Sequence, residues 1–298
     1  MEKPEIANEQ PDAKIIALVM LLALLWGGNS VSIKIGLQDI PPLALAVLRF
    51  LLGLAAITTW AKIQRIQIRL NPGELRPMMF LSVIFLAQII TLNVGTEFTS
   101  ASHSTIFIST YPFFTALFAH FFVPGDRLST LKTIGIVLAF SGVSLTFAGD
   151  SQAGDHHLLG DLIVLASGCL LGLRIVVTKR IVQSIHPYRL LIWLLIISLP
   201  CFLGLSLFFE RGKSYHISIP GTLAILYQGL IVAGFCFVAW TSILKKYSPS
   251  KVVVLFFTTP LFGVLFSYLL LNDPVDIYLL LGAGLVACGI YLVNRGVR

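Results

Sequence analysis

Trp26, Asn29, Ser30 and Ile33 recur at spacings that, at 3.6 residues per turn, gather them on one helical arc of about 100°. An indole, an amide and a hydroxyl on one face of an otherwise apolar run suit a partly apolar organic solute, held by ring contact and hydrogen bonds. Gln88 and Thr91, three residues apart, form a second such face, and Ser102, Thr105 and Ser109 a third. Tyr227, Gln228 and Trp240 bring polar-tipped side chains to a later apolar run. Each is equally ordinary as hydrogen-bonding material between packed helices, so residue type leaves both roles open. Arg49 and Arg174 lie deeper, where a charge costs roughly 2.5–3.5 kcal/mol at the centre of a span. Arg174 reads either as the counter-charge for a substrate carboxylate or as a side chain snorkelling to the surface. Arg49 reads as structural. These groups bind rather than react. The chain has no His-Glu-x-x-His, no paired intramembrane aspartates, no aspartate-rich motif and no Walker A sequence. We therefore expect no enzyme, no catalytic residue and no cofactor. His156 and His157, with Asp155 and Asp161 nearby, read as a solvated loop and not as a metal site.

The elements that must carry these groups are set by composition. Of 298 residues 56% are hydrophobic and 12% charged, and the mean hydropathy is +0.89; a soluble domain carries about 25% charged residues. Apolar runs long enough to cross a bilayer recur at about 15–36, 43–61, 78–96, 103–122, 130–148, 159–179, 190–209, 220–243, 251–271 and 276–294. Without strand signals, these are expected to be helices, whose backbone is satisfied internally in lipid. The expected class is an all-α polytopic membrane protein of ten transmembrane helices. With a cytoplasmic N-terminus, sixteen lysines and arginines fall in cytoplasmic segments, among them Lys62, Arg65, Arg76, Arg127, Arg189, Lys245 and Lys251. Only Arg211 and Lys213 fall opposite. Both termini are thus expected in the cytoplasm, and the net charge of +7 is a topology signal, not a nucleic-acid footprint. The acidic start, "MEKPEIANEQPDAK", is the wrong leader for a secretory signal. Cys169, Cys201, Cys236 and Cys288 all fall in apolar runs and read as small buried hydrophobes.

The chain also repeats itself. "KIGLQDIPP" (34–42) lies on "KRIVQSIHP" (179–187), "YPFFTALF" (111–118) on "TPLFGVLF" (259–266), and "GIVLAFSGVSL" (135–145) on "GAGLVACGIYL" (282–292). Three blocks at nearly one offset indicate a duplication. The expected division is a tail 1–14, a first repeat 15–149, an external linker 150–158, a second repeat 159–294 and a tail 295–298. Five spans per repeat is an odd number, so the second copy enters the membrane inverted. That architecture suits alternating access. Lys34 and Lys179 are repeat equivalents near opposite membrane faces; they read as mirrored gates or as snorkelling cations. Pro112 and Pro260, also equivalent, read as hinges or as static kinks, with nearby Ser and Thr hydroxyls placed to re-satisfy the freed carbonyls of Ile108 and Phe256. Gly28, Ser32 and Gly36 form a small-residue ridge, and Gly135/Gly142 and Gly282/Gly289 read as helix-packing positions.

Taken in order, "WGGNSVSIKIGL", "LRF" (48–50), "YPFFTALFAHFFVPGDRLSTLKTIGIVLAFSGVSL", "GDLIVLASGCLLG" and "PLFGVLFSYLLLNDPVDIYLLLGAGLVACGIYLV" resemble the EamA-type branch of the drug/metabolite transporter superfamily. The resemblance implies ten helices, cytoplasmic termini in the cell (inner) membrane, and export of amino acids or related small metabolites. The chain departs from the pattern in having Asp126 and Asp273 as the nearest acids after the fourth and ninth spans, where the family commonly has glutamate. The expected partners are a small neutral or anionic solute and the lipid bilayer. A homodimer is left open, and so is a channel- or receptor-like role.

Overall fold

The structure is a computed structural model that describes residues 12–122, 129–149, 155–247, 256 and 258–295. Residues 1–11 of the N-terminal tail, 123–128 with Asp126 and Arg127, 150–154 of the linker, 248–255 with Lys251, 257, and 296–298 lie outside them. The described residues are helical, without a strand. Their helices are α1 (Ala13–Leu37), α2 (Pro42–Ile63), α3 (Leu75–Phe98), α4 (Ala101–Ile108), α5 (Tyr111–Phe122), α6 (Thr130–Gly149), α7 (Asp155–Val182), α8 (Pro187–Phe209), α9 (Ile219–Leu226), a π-helix (Tyr227–Cys236), α10 (Phe237–Lys246), α11 (Thr259–Leu271) and α12 (Ile277–Arg295).

Among the described residues, seven helical stretches are long and apolar enough to cross a membrane: 13–37, 42–63, 75–98, 101–122, 157–181, 187–209 and 219–246. Three shorter apolar helices, 133–146, 259–271 and 277–292, occupy the places of the fifth, ninth and tenth apolar runs. Apolar side chains such as Phe80, Val83, Leu207, Phe208 and Leu269 are exposed on the outside of the bundle, the surface that lipid would cover.

The helix ends are set by short polar signals. Asp12 caps α1 through Ile15 N–H, Ser100 caps α4 through His103 N–H, and Ser218 caps α9 through Gly221 N–H. Such caps satisfy donors that have no intrahelical partner. Pro42 opens α2, and the next two N–H groups, of Leu43 and Ala44, donate to the Glu210 carboxylate at 2.8 and 2.9 Å. A carboxylate at a helix N-terminus is favoured by the helix dipole.

Packing repeats between the halves. Helix α3 lies along α7, as α1 lies along α9 and the π-helix. Helix α1 packs on α11, as α4 and α5 pack on α7. Helices α2 and α8 pair with each other, as do α6 and α12. In this last seam a Cβ on Gly142 would stand 2.7 Å from the Gly282 carbonyl oxygen, and one on Gly289 would stand 2.5 Å from that of Gly135. The seven-residue glycine spacing is therefore a backbone-to-backbone contact, which no larger side chain admits.

Three elements differ from the expected spans. The fourth is interrupted at Ser109–Thr110, so Pro112 sits at the second position of α5 instead of inside a helix. Pro260 likewise occupies the first turn of α11. A missing N–H costs little at a helix start. The hydroxyls of Ser109 and Thr110 donate to the carbonyls of Thr105 and Phe107, not to that of Ile108. The eighth span contains ten residues of π-helix, closed by Phe237 N–H donating to the Val232 carbonyl, five residues back. Its Gly229 packs so closely on α2 that a Cβ there would meet Leu52 Cβ at 2.6 Å. Finally, α7 begins at Asp155, inside the segment read as a linker, so His157 is helical and not in a loop. Of the cysteines, Cys236 is buried and Cys169 half-buried, but Cys201 and Cys288 are exposed.

Candidate functional site

The middle of the bundle holds a cavity of about 90 Å³ built from both halves of the chain. Helix α1 supplies Trp26, Asn29 and Ser30; α2 supplies Arg49; α3 supplies Gln88, Ile89 and Leu92. Ile108, Ser109 and Tyr111 reach it from the break between α4 and α5. From the second half come Leu171, Arg174 and Ile175 of α7, Phe237 and Trp240 of α10, and Phe256 and Thr259. A chamber of about 40 Å³ adjoins it, sharing Trp26, Arg174, Ile175, Phe237 and Trp240.

The wall has an aromatic side and a cationic side. Trp26, Trp240 and Phe256 contact one another with ring centroids 5.1–6.0 Å apart. Phe85 and Phe237 lie under the Arg174 guanidinium at 5.3 and 5.5 Å, and Phe50 under that of Arg49 at 4.8 Å, cation–π distances in each case. Arg174 is oriented by Gln88, whose Oε1 accepts from its Nη1 at 2.8 Å. Gln88 is held in turn by Ser167: its Nε2 donates to Ser167 Oγ, and that hydroxyl donates to the Gln88 carbonyl. No carboxylate borders the cavity among the described lining residues.

Seven of the eleven residues expected to line a cavity thus meet at one: Trp26, Asn29, Ser30, Gln88, Ser109, Arg174 and Trp240. Four others are turned to helix packing. Thr91 donates to the Ala87 and Gln88 carbonyls of its own helix. Thr105 donates to the Ala101 carbonyl and fills the space opposite Gly263. Tyr227 donates to the Leu25 carbonyl, and Gln228 to that of Ser32 at 2.8 Å, so both fasten the π-helix to the small-residue ridge of α1. Arg49, read as structural, lines the cavity, as do Tyr111 and Thr259. Depth in an apolar run had singled out Arg49 without assigning it to a cavity, and Thr259 could have been found from its place beside Pro260.

The two lysines point elsewhere. Lys34 Nζ donates to the carbonyls of Thr96, Glu97 and Thr99 at the C-terminus of α3, at 3.1, 3.0 and 2.5 Å. Lys179 Nζ donates to those of Leu244 and Tyr247 at the C-terminus of α10, at 2.8 and 3.2 Å. Neither lysine is among the residues that line the cavity. Each is a cation closing the carbonyl end of a neighbouring helix, where the dipole favours positive charge.

The end of the bundle near Lys34 is tied by further polar contacts. Asp39 accepts from the Ser218 hydroxyl and, at 3.0 Å, from its N–H. Asp273 accepts from the hydroxyls of Ser267 and Ser102. Asp161 accepts from the Thr99 hydroxyl and lies 2.8 Å from His103 Nδ1. His103, His157 and Asp161 present ligand-type atoms within 4.8 Å of one another. In this arrangement they join α7 to the α3–α4 turn, with Ser100 N–H donating to His157 Nε2 at 3.2 Å. At the opposite end Arg189 pairs with Glu74 at 2.7 Å, and Trp193 Nε1 donates to the Ile68 carbonyl at 2.8 Å.

Comparison with known proteins gives this geometry a context. The sequence model of the EamA-like transporter family matches twice, at residues 13–148 and 158–295. The chain is 27% identical to the transporter YoaV of Bacillus subtilis, over 94% of this chain and 96% of the relative. It is 28% identical to a protein of Escherichia coli named "Probable amino-acid metabolite efflux pump", over 94% and 95%. A transporter of Archaeoglobus fulgidus is 24% identical over 95% and 98%. A crystal structure superposes with a TM-score of 0.74 at 14% identity, over 94% of this chain and 96% of the other, a likeness of fold.

Proposed function

This chain belongs to the EamA-like transporter family of the drug/metabolite transporter superfamily, and from that premise we propose that it exports small metabolites by alternating access. It is a multi-pass membrane transporter with a duplicated EamA unit. The proposed solutes are amino acids or related neutral or anionic compounds, a class supported by the name of the Escherichia coli relative. The observation that carries the reading is the cavity itself: both halves of the duplication line it, and aromatic faces, amides, hydroxyls and a guanidinium converge on it. Arg174, steadied by Gln88, is the proposed counter-charge for a carboxylate.

The proposed frame is ten spans in two inverted five-helix repeats, with both termini in the cytoplasm of an inner-membrane protein. Inversion is supported by the lysine pair. Lys34 meets the carbonyl end of α3, and the neighbouring Thr99 meets Asp161 in the first turns of α7. The C-terminal end of α1 therefore shares a bundle face with the N-terminal end of α7, its repeat equivalent. Pro112 and Pro260, at the starts of α5 and α11, are proposed bending points beside the cavity. The polar ties at both bundle ends favour a gated carrier over an open pore. The test is counterflow: proteoliposomes loaded with unlabelled amino or organic acids should accumulate the labelled solute transiently and saturably. Linear, non-saturating flux would identify a channel instead.

A further inference from the structure

Of the buried polar atoms without a hydrogen-bond partner among the described residues, four belong to side chains that border the cavity: Arg49 Nε and Nη1, Asn29 Oδ1 and Thr259 Oγ1. All three side chains are at least nine-tenths buried, with 2%, 9% and 7% of their surfaces exposed. A buried donor or acceptor left without a partner bears its full desolvation penalty, and a cation bears more than a neutral group. The three side chains come from α1, α2 and α11, so no single helix's packing accounts for them.

We infer that the cavity is a site for a small 2-hydroxycarboxylate. This rests on the carrier reading above and narrows its solute class. The carboxylate answers the unpartnered N–H groups of the Arg49 guanidinium, with Arg174 as a second cation on the same wall. The adjacent O–H donates to Asn29 Oδ1, an atom that only accepts. Thr259 Oγ1, able to donate or accept, serves the remaining oxygen lone pairs. A 2-amino acid presents the same skeleton but brings an ammonium group into a space with two guanidinium groups. No lining carboxylate among the described residues offsets it. Like charges in a protein interior repel more strongly than in bulk solvent. The rings of Trp26, Trp240 and Phe256 take the apolar carbon. The volume agrees: an apolar cavity of about 150 Å³ holds benzene, and the about 90 Å³ here, with the about 40 Å³ chamber beside it, suits a comparably small acid.

The experiment uses the full-length purified protein in detergent micelles and three acids that differ only at C2: L-lactate, L-alanine and propionate. Binding is read by tryptophan fluorescence, since Trp26 and Trp240 border the cavity, and by the shift in thermal midpoint. L-Lactate should bind at least about tenfold more tightly than either analogue, because each lacks a matched group or adds a repelled one. Arg49→Gln should weaken L-lactate by about tenfold or more, and Asn29→Asp should move the preference toward L-alanine. Binding of L-alanine or propionate as tight as that of L-lactate overturns the inference. The three-acid comparison on the unaltered protein decides this even where a variant does not fold. Counterflow is read separately. Exchange of L-alanine without L-lactate binding sinks the hydroxy-acid site and leaves the carrier standing. L-Lactate binding without counterflow of any of the three sinks the carrier and leaves the anion site standing.

Discussion

A lysine that reaches three carbonyls at a helix end satisfies acceptors that have no partner within their own helix. Lys34 does this for α3, and Lys179 does it for α10 with two carbonyls. Lys34→Met should therefore lower stability by about 1–3 kcal/mol, the cost of leaving buried polar groups unpaired. The drop should appear as a lower thermal midpoint in micelles, and Lys179→Met should do the same. If both variants kept the wild-type midpoint while transport fell, the capping role would be wrong and the gate reading would stand. Gln88 works differently, since it orients Arg174 from within the cavity wall. Gln88→Leu removes that acceptor and should slow counterflow about tenfold, the rate equivalent of a lost charge-assisted hydrogen bond. The thermal midpoint should move less than for the lysine variants.

Among the elements, the α6–α12 seam and the broken fourth span make contrasting demands. The seam has no room: Gly142 faces the Gly282 carbonyl directly. Gly142→Leu should cost more than about 3 kcal/mol through overpacking, seen as loss of a monodisperse peak in size-exclusion chromatography. Gly284→Ala, with nothing near its would-be Cβ, should be neutral within about 0.5 kcal/mol. Pro112 lies where a proline is tolerated, in the first turn of α5. Pro112→Ala should thus leave the thermal midpoint within a few degrees, about 1 kcal/mol. If the Ser109–Thr110 break is a bending point, the same variant should slow exchange. An unchanged rate would assign the proline to shape alone.

At the level of the whole molecule, the proposed sidedness rests on the distribution of lysine and arginine and is open to labelling. In a background without the four native cysteines, Lys62→Cys and Lys245→Cys should react with an impermeant thiol reagent from the cytoplasmic side, and Lys213→Cys only from the other. Reaction of all three from one side would undo the inverted arrangement. Membrane class, apolar runs and the duplication were legible in the linear chain because hydropathy, charge and self-similarity are sums over neighbouring residues. The Trp26, Asn29 and Ser30 face was legible too, since helical spacing alone puts three side chains together. What spacing could not decide was which partner each face meets. Thr91 and Gln228 look as suitable for a cavity as Gln88 does, yet one bonds its own helix and the other a carbonyl 196 residues away. Arg49, part of the "LRF" motif and read from the sequence as structural, becomes a cavity cation only because α2 is packed against α8 and the π-helix. The lysines became caps only when the ends of α3 and α10 arrived beside them. Azimuth and neighbour are properties of packed helices, so only the tertiary structure could settle them.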